Sequence, residues 1–206
     1  MQKLFDFHND QGSFHLYQYE QSSEELMNKV QLSEPELSKL NSFSSTKRKK
    51  EWLAVRYLLN ILHPKEKICL TYNEHGKPSL SNGLKISISH SSNYVGIGLS
   101  ESNEIGIDIQ YFKQSIEKIQ SKFIHPREAQ IIQSSTEIEP SDLLHYYWTA
   151  KEAIYKKISV PGTIFCEIDC SDFKIEKNKN WIATYRTEIF TLYSLRIDQL
   201  YISFCY

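Results

Sequence analysis

In the segment Glu104-Ile105-Gly106-Ile107-Asp108-Ile109-Gln110, apolar and polar positions alternate strictly. As a strand it sends its three isoleucines to one face and Glu104, Gly106, Asp108 and Gln110 to the other. A carboxylate then stands on a polar face beside a glycine, where a ligand can approach the backbone. Further along, WTAKEAIYK at 148–156 places Trp148, Glu152 and Lys156 at i, i+4 and i+8, so one helical stripe projects a carboxylate and an ammonium together. His90 ends the run KISISH between Ser89 and Ser91. Neighbours on a strand point to opposite faces, which rules out a direct serine–histidine nucleophile pair and leaves anion binding by His90 and nearby hydroxyls. Lys47-Arg48-Lys49-Lys50 puts four cations where a helix begins, an unfavourable end for positive charge unless an anion lies close. Taken singly, each feature also reads as ordinary structure: a half-buried strand, a surface Glu–Lys pair, a satisfied histidine, a solvated helix start.

The elements that must position these residues follow from periodicity. FHLYQY at 14–19 predicts a first strand. Ser33-Glu34-Pro35-Glu36 predicts a capping box with an early proline, opening a short helix through Leu37 and Leu40. Ser45 or Thr46 caps a longer helix with Trp52, Val55, Leu59 and Leu62 on its buried stripe, ended by His63-Pro64; Lys49 and Arg56, two turns apart, give it a basic stripe as well. From 68 to 110 the period becomes two (ICLTY, KISISH, YVGIGL, EIGIDIQ), with turns at Asn82-Gly83 and Ser91-Ser92-Asn93, predicting a sheet. Within it Val95, Ile97 and Leu99 face the core, and Tyr94, Gly96 and Gly98 leave the opposite face flat. Helical signals return at 116–123, after His125-Pro126 and over 142–158, and alternation resumes from Ile164 with a hairpin turn at 177–180. The order strand, helices, strands thus occurs twice. An α+β fold of two similar halves, 1–103 and 104–206, is expected, each a small, mainly antiparallel sheet packed on helices.

Composition narrows the function classes. With 24 Lys and Arg against 25 Asp and Glu, no global field draws the chain to nucleic acid or to a membrane surface. The four cysteines, Cys69, Cys166, Cys170 and Cys205, show no CxxC pair or zinc spacing, and the start MQKLFDFHND has no basic-then-apolar run. A reduced, cytoplasmic protein is expected. No stretch approaches the ~18–20 apolar residues of a membrane span. Five of only 7 glycines (Gly76, Gly83, Gly96, Gly98 and Gly106) crowd into 31 residues, which marks that stretch as the expected wall of a ligand cleft. No phosphate-cradling GxGxxG or GxxxxGK[ST] run is present, against an unrelated nucleotide-binding mechanism.

Read together, HGKPSL at 75–80, ISISHS at 86–91, IGIDIQ at 105–110 and WTAKEAIYK at 148–156, with KEWLAVRYLL at 50–59 as weaker support, resemble the 4′-phosphopantetheinyl transferases of the larger, monomeric, pseudo-twofold subclass. The motifs agree in order and spacing and cover the central half to two-thirds of the chain. The resemblance implies transfer of the phosphopantetheine arm of coenzyme A onto a serine of an apo acyl or peptidyl carrier protein, with release of adenosine 3′,5′-bisphosphate. It implies Mg²⁺ held by Asp108, Gln110 and Glu152, with Glu152 as base, and Lys156 on the phosphate oxygens. It also implies Arg56, Lys77, Ser89, His90 and Lys156 as contacts to the coenzyme A phosphates, and the basic cluster at 47–50 as an assistant or as a greeting surface for an acidic carrier. One departure stands out: where the family's strand usually ends in a second carboxylate, this chain has Gln110, an uncharged ligand. A relative that binds coenzyme A or a carrier protein without catalysis is the alternative this departure raises. Two halves in one chain need no second subunit to complete a site between them, so a monomer is expected.

Overall fold

The computed structural model describes residues 1–173 and 180–206. The 177–180 turn falls largely outside them. In chain order the elements are β1 (Gln2–Asn9), β2 (Gly12–Gln18), α1 (Ser23–Met27), α2 (Glu34–Ser42), α3 (Thr46–Leu62), β3 (Leu70–Tyr72), β4 (Pro78–Leu80), β5 (Lys85–Ser91), β6 (Tyr94–Ser100), β7 (Gly106–Tyr111), α4 (Pro126–Ser134), α5 (Pro140–Ile158), β8 (Trp181–Tyr185), β9 (Glu188–Ile197) and β10 (Leu200–Cys205). Among the described residues the strands form two four-stranded antiparallel sheets, ordered β1-β2-β6-β5 and β7-β10-β9-β8, and a small β3-β4 ribbon. The α+β expectation holds.

Helix boundaries follow the caps. Ser33 and Glu36 close the capping box of α2, with the Ser33 N–H donating to Glu36 Oε2 at 3.0 Å. The Ser45 hydroxyl accepts from Arg48 N, and α3 ends at His63 before Pro64. His125 caps α4 with Pro126 in its first turn.

Four expectations need correcting. An earlier strand, β1, precedes the one predicted at 14–19; Asn9 Oδ1 accepts from the N–H groups of Gln11 and Gly12, which makes the tight turn between them. The alternating stretch 68–110 is not one sheet but is divided among all three. Gln114–Lys122 winds as a 3₁₀ helix, and Phe165–Glu167 is a 3₁₀ turn rather than the start of a strand.

Both sheets have the same internal connection: an opening strand, helices, then a final hairpin whose last strand pairs with the opener (β2-β6-β5 and β7-β10-β9). α3 covers one face of the first sheet, where Trp52, Val55 and Leu59 meet Val95, Ile97 and Leu99, and α5 covers the second. The remaining faces pack on each other through Phe14, Leu16, Ile107, Ile109, Ile202 and Phe204, giving four layers, helix, sheet, sheet, helix.

Ser87, Ser89 and Ser91 stand on the inner face of β5, the face shared by their cross-strand partners Gly98, Gly96 and Tyr94. β7 lies across this face. Its outer-edge N–H groups, on Ile107, Ile109 and Tyr111, donate to the three serine hydroxyls at 3.0, 3.1 and 2.9 Å.

Of the clustered glycines Gly76 borders the cleft, whereas Gly96, Gly98 and Gly106 are packed against other parts of the fold. A Cβ on Gly96 would meet the Phe14 ring of β2 at 2.9 Å and Ile107 at 3.3 Å, and one on Gly98 would meet Ile107 at 2.8 Å, so the flat face is filled by the neighbouring strand and by the other sheet. A Cβ on Gly106 would sit 1.8 Å from the Ala153 carbonyl oxygen. The room beside Asp108 is taken by α5, not left for a ligand. Gly106→Ala should accordingly destabilise the fold by about 3 kcal/mol or more, because helix backbone cannot swing aside. Thermal unfolding checks this, and an unchanged melting temperature would contradict the contact.

Candidate active site

Asp108 lies on β7 with its side chain toward α5, and both of its polar contacts fall on Oδ1: the Ser89 hydroxyl donates at 2.8 Å and Lys156 Nζ at 2.7 Å. Ser89 is thus fully engaged, accepting from Ile109 N and donating to Asp108. Glu152, one turn before Lys156 on α5, is half-buried, and no described residue donates a hydrogen bond to it. Burial pushes its carboxyl up to about 7; the negative charge of Asp108 pushes the same way, and Lys156 offsets them only in part. Two carboxylates and an ammonium therefore share one pocket of the field. A carboxyl poised near neutrality can take a proton from a hydroxyl, and the paired oxygens are the hard donors a divalent cation prefers.

α5 is fixed in register by a buried ion pair that the motif alone does not announce. Lys151 is fully buried, with Nζ 2.7 Å from Glu128 Oε2 and 2.6 Å from the Phe123 carbonyl oxygen. The other oxygen of Glu128 accepts from Cys170 N at 2.8 Å. With every partner satisfied, the pair locks α5 against α4 and the 165–170 segment, and so points Glu152 and Lys156 at β7.

Beside Lys156 opens a cleft of 260 Å³ between α3, the β3-β4 ribbon, β5 and the end of α5. Arg48, Glu51 and Trp52 of α3, Tyr72 and Lys77 of the β3-β4 ribbon, His90 of β5 and Tyr155 of α5 line it. The ribbon loop is held by Asn73, whose Oδ1 accepts from the N–H groups of His75 and Lys77, with Gly76 at φ +80° supplying the left-handed step. Lys77 Nζ pairs with Glu104 at 2.7 Å. Arg48 donates to His90 Nε2 at 2.8 Å, which leaves the His90 proton on Nδ1, 3.5 Å from Glu51. Burial, helped by Arg48 and Lys156, keeps His90 below its ordinary pKa against the pull of Glu51. Neutral and accepting through Nε2, it orients Arg48 instead of offering a cation of its own. Glu51, near Lys47 and Arg48 as well, is the anion that the basic helix start required.

Of the residues expected from sequence, Lys77, His90 and Lys156 line the cleft, Asp108 is bonded to Lys156, and Glu152 stands one turn before it on α5. Gln110 shares the Asp108 face of β7; its Nε2 donates to the Tyr111 carbonyl at 2.6 Å, so the amide oxygen is the atom it can offer to a ligand. Arg56 is not brought there. It is buried, bonded to Glu36 at 3.0 Å and stacked on the Trp52 ring, so the expected basic stripe of Lys49 and Arg56 is broken. From the 47–50 cluster it is Arg48 that lines the cleft, a choice that a run of four cations does not disclose.

The model of the 4′-phosphopantetheinyl transferase superfamily matches residues 104–205, the stretch that carries Asp108, Glu152 and Lys156. The chain belongs to this superfamily. Its similarity to individual superfamily members reaches beyond that stretch. A Synechocystis sp. protein provisionally named a 4′-phosphopantetheinyl transferase is 34% identical over 137 residues, 61% of this chain and 56% of that protein. The 4′-phosphopantetheinyl transferase of Aneurinibacillus migulanus is 31% identical over 137 residues, 66% of this chain and 56% of its own length. That of Nostoc sp. is 28% identical over 139 residues, 61% and 58% respectively. The chain therefore spans little more than half the length of these relatives.

The raised carboxyl of Glu152 has a consequence for stability. Unfolded, the group releases its proton near 4.5; folded, it holds it to about 7. The native state binds more protons in between, so stability is lost as pH rises through that window. Glu152→Gln should raise the urea unfolding midpoint of the metal-free protein at about pH 8, with the gain fading toward about pH 5. Equal midpoints at the higher pH would contradict the burial of this charge.

Proposed function

We propose that this protein transfers 4′-phosphopantetheine from coenzyme A to a serine of an apo acyl or peptidyl carrier protein, releasing adenosine 3′,5′-bisphosphate. The observation that carries the reading is the convergence of Asp108, a Glu152 poised at about 7, and Lys156 at the end of a cleft lined by Arg48 and Lys77. In the reaction a serine oxygen bonds to the phosphorus that bears the pantetheine arm, and the bond from that phosphorus to the bridging oxygen of the leaving bisphosphate breaks. Glu152 takes the serine proton, directly or through a water. Lys156 neutralises charge growing on the phosphate oxygens, and Arg48 and Lys77 hold the anionic phosphates of the nucleotide end. Arg48 here takes the place expected of Arg56, and Ser89 acts by aiming Asp108. A Mg²⁺ ion, when bound by Asp108, Glu152 and the amide oxygen of Gln110, would supply Lewis-acid neutralisation of the pyrophosphate. The two carboxylates within each other's field, with no described residue donating to Glu152, fit such an ion.

The recurring strand order supports a two-halved, monomeric member of the superfamily. In that reading 1–103 supplies most contacts to the nucleotide end and 104–206 the metal and catalytic groups. Free thiols at all four cysteines and the lack, among the described residues, of a helix long and apolar enough to cross a membrane accord with work in the cytoplasm.

Incubation with coenzyme A, Mg²⁺ and an apo carrier protein should raise the carrier's mass by one phosphopantetheine. Binding of coenzyme A with no mass gain would favour the non-catalytic reading that Gln110 raises. Asp108→Ala and Glu152→Ala should each slow transfer by roughly 100-fold or more with the fold intact by circular dichroism; near wild-type turnover in either would overturn the assignment. Gln110→Glu should lower the Mg²⁺ concentration for half-maximal transfer, and an unchanged metal titration would remove Gln110 from the ligand set.

A further inference from the structure

At the edge of the first sheet opposite β5, a second group of ligand-type side chains converges that the cleft does not use. β1 and β2 pair with Asp6 opposite His15 and His8 opposite Ser13, so Asp6, His8 and His15 share one face of the hairpin. This register depends on a bulge. Lys3 pairs with Tyr17, yet Phe5 pairs with Leu16, a shift of one residue between them. Without it Asp6 would fall opposite Phe14 and its carboxylate would point into the apolar layer between the sheets. The extra residue turns Asp6 onto the face of His15.

One ligand atom from each of the three residues lies within 4.8 Å of the others. His15 Nδ1 is 3.1 Å from Asp6 Oδ1, and the His8 and His15 rings meet edge to face with centroids 5.2 Å apart. Lys3 holds the second oxygen of Asp6 at 3.1 Å, which leaves Oδ1 turned to the histidines. His63, at the C-terminus of α3, borders the same cavity as His8 and His15, and its Nε2 has no hydrogen-bond partner among the described residues. Two imidazoles and one carboxylate suit a divalent first-row transition ion, in contrast to the all-oxygen shell that Mg²⁺ or Ca²⁺ prefers. Three protein ligands leave a fourth position, open to water or to His63.

We propose that Asp6, His8 and His15 form a structural site for a zinc-type divalent transition ion, which clamps the edge strand β1 onto β2. The site is separate from Asp108 and Glu152, and among the described residues β1 has no strand neighbour but β2, so a cross-strand clamp there adds to the stability of an otherwise single-sided strand.

The test is titration of the full chain carrying Glu152→Gln, which removes a carboxylate of the first site, with Co²⁺ followed by Zn²⁺. Expected are one equivalent of bound Co²⁺ with the intense visible bands of four- or five-coordination, its displacement by Zn²⁺, and a higher melting temperature with Zn²⁺. Adding His8→Ala, at an exposed ring, should weaken binding at least about tenfold and abolish the thermal gain without changing the metal-free melting temperature. Asp6→Asn should also weaken binding. Equal affinity with and without His8, or a Co²⁺ spectrum of the weak six-coordinate hydrated type, would overturn the proposal. Because the readout needs neither coenzyme A nor a carrier protein, its outcome is independent of the transferase assay.

Discussion

Among the described strands β7 has a backbone partner on one side only, β10, and its other row of N–H groups would be orphaned in the interior if nothing met it. The hydroxyls of Ser87, Ser89 and Ser91, at every second position of β5, accept from that row and replace a ladder with three side-chain bonds. Leaving one such buried donor unpaired costs roughly 1–3 kcal/mol, so the contact admits a single register. That register sets Ser89 beside Asp108, and with it the position of the carboxylate relative to the cleft wall of β5.

Close approach is the second condition. Glycines at 96 and 98 let the isoleucines of β7 press onto β6, and Gly106 lets the backbone of α5 come down on β7 at Ala153. Small residues here shorten distances between elements. The short distance is what brings Lys156 to Asp108, and what puts Glu152 in the field of Asp108.

Charge is then distributed by burial. Lys151 and Glu128 neutralise each other inside the C-terminal core and hold α5 still, whereas Glu152, one residue on, faces a half-buried site without a donor and retains its proton to about neutrality. Neighbouring positions on one helix thus take opposite tasks, anchoring and chemistry, because adjacent helical side chains point to different faces. On the other wall the cations of α3 are sorted in a similar way: Glu51 and His90 turn Arg48 to the cleft, and Glu36 and Trp52 hold Arg56 away from it.

Much of this was legible in the chain. Alternation in EIGIDIQ put Asp108 on a polar face, helical spacing put Glu152 and Lys156 on one stripe, and caps at Ser33, Ser45 and His125 marked where helices begin, because these depend on local geometry with fixed periods. The α+β class and the twofold recurrence of strand, helices, strands were determined in the same way. What the sequence could not determine was which elements touch. Serines on β5 read as an ordinary polar face, and the glycine cluster read as a ligand wall, because spacing carries no information on whether solvent, ligand or another sheet covers a face. The choice of Arg48 over Arg56 and the value of about 7 at Glu152 belong to tertiary structure alone. Both depend on desolvation and on charges brought close from distant parts of the chain, and those are set only when the two sheets close on each other.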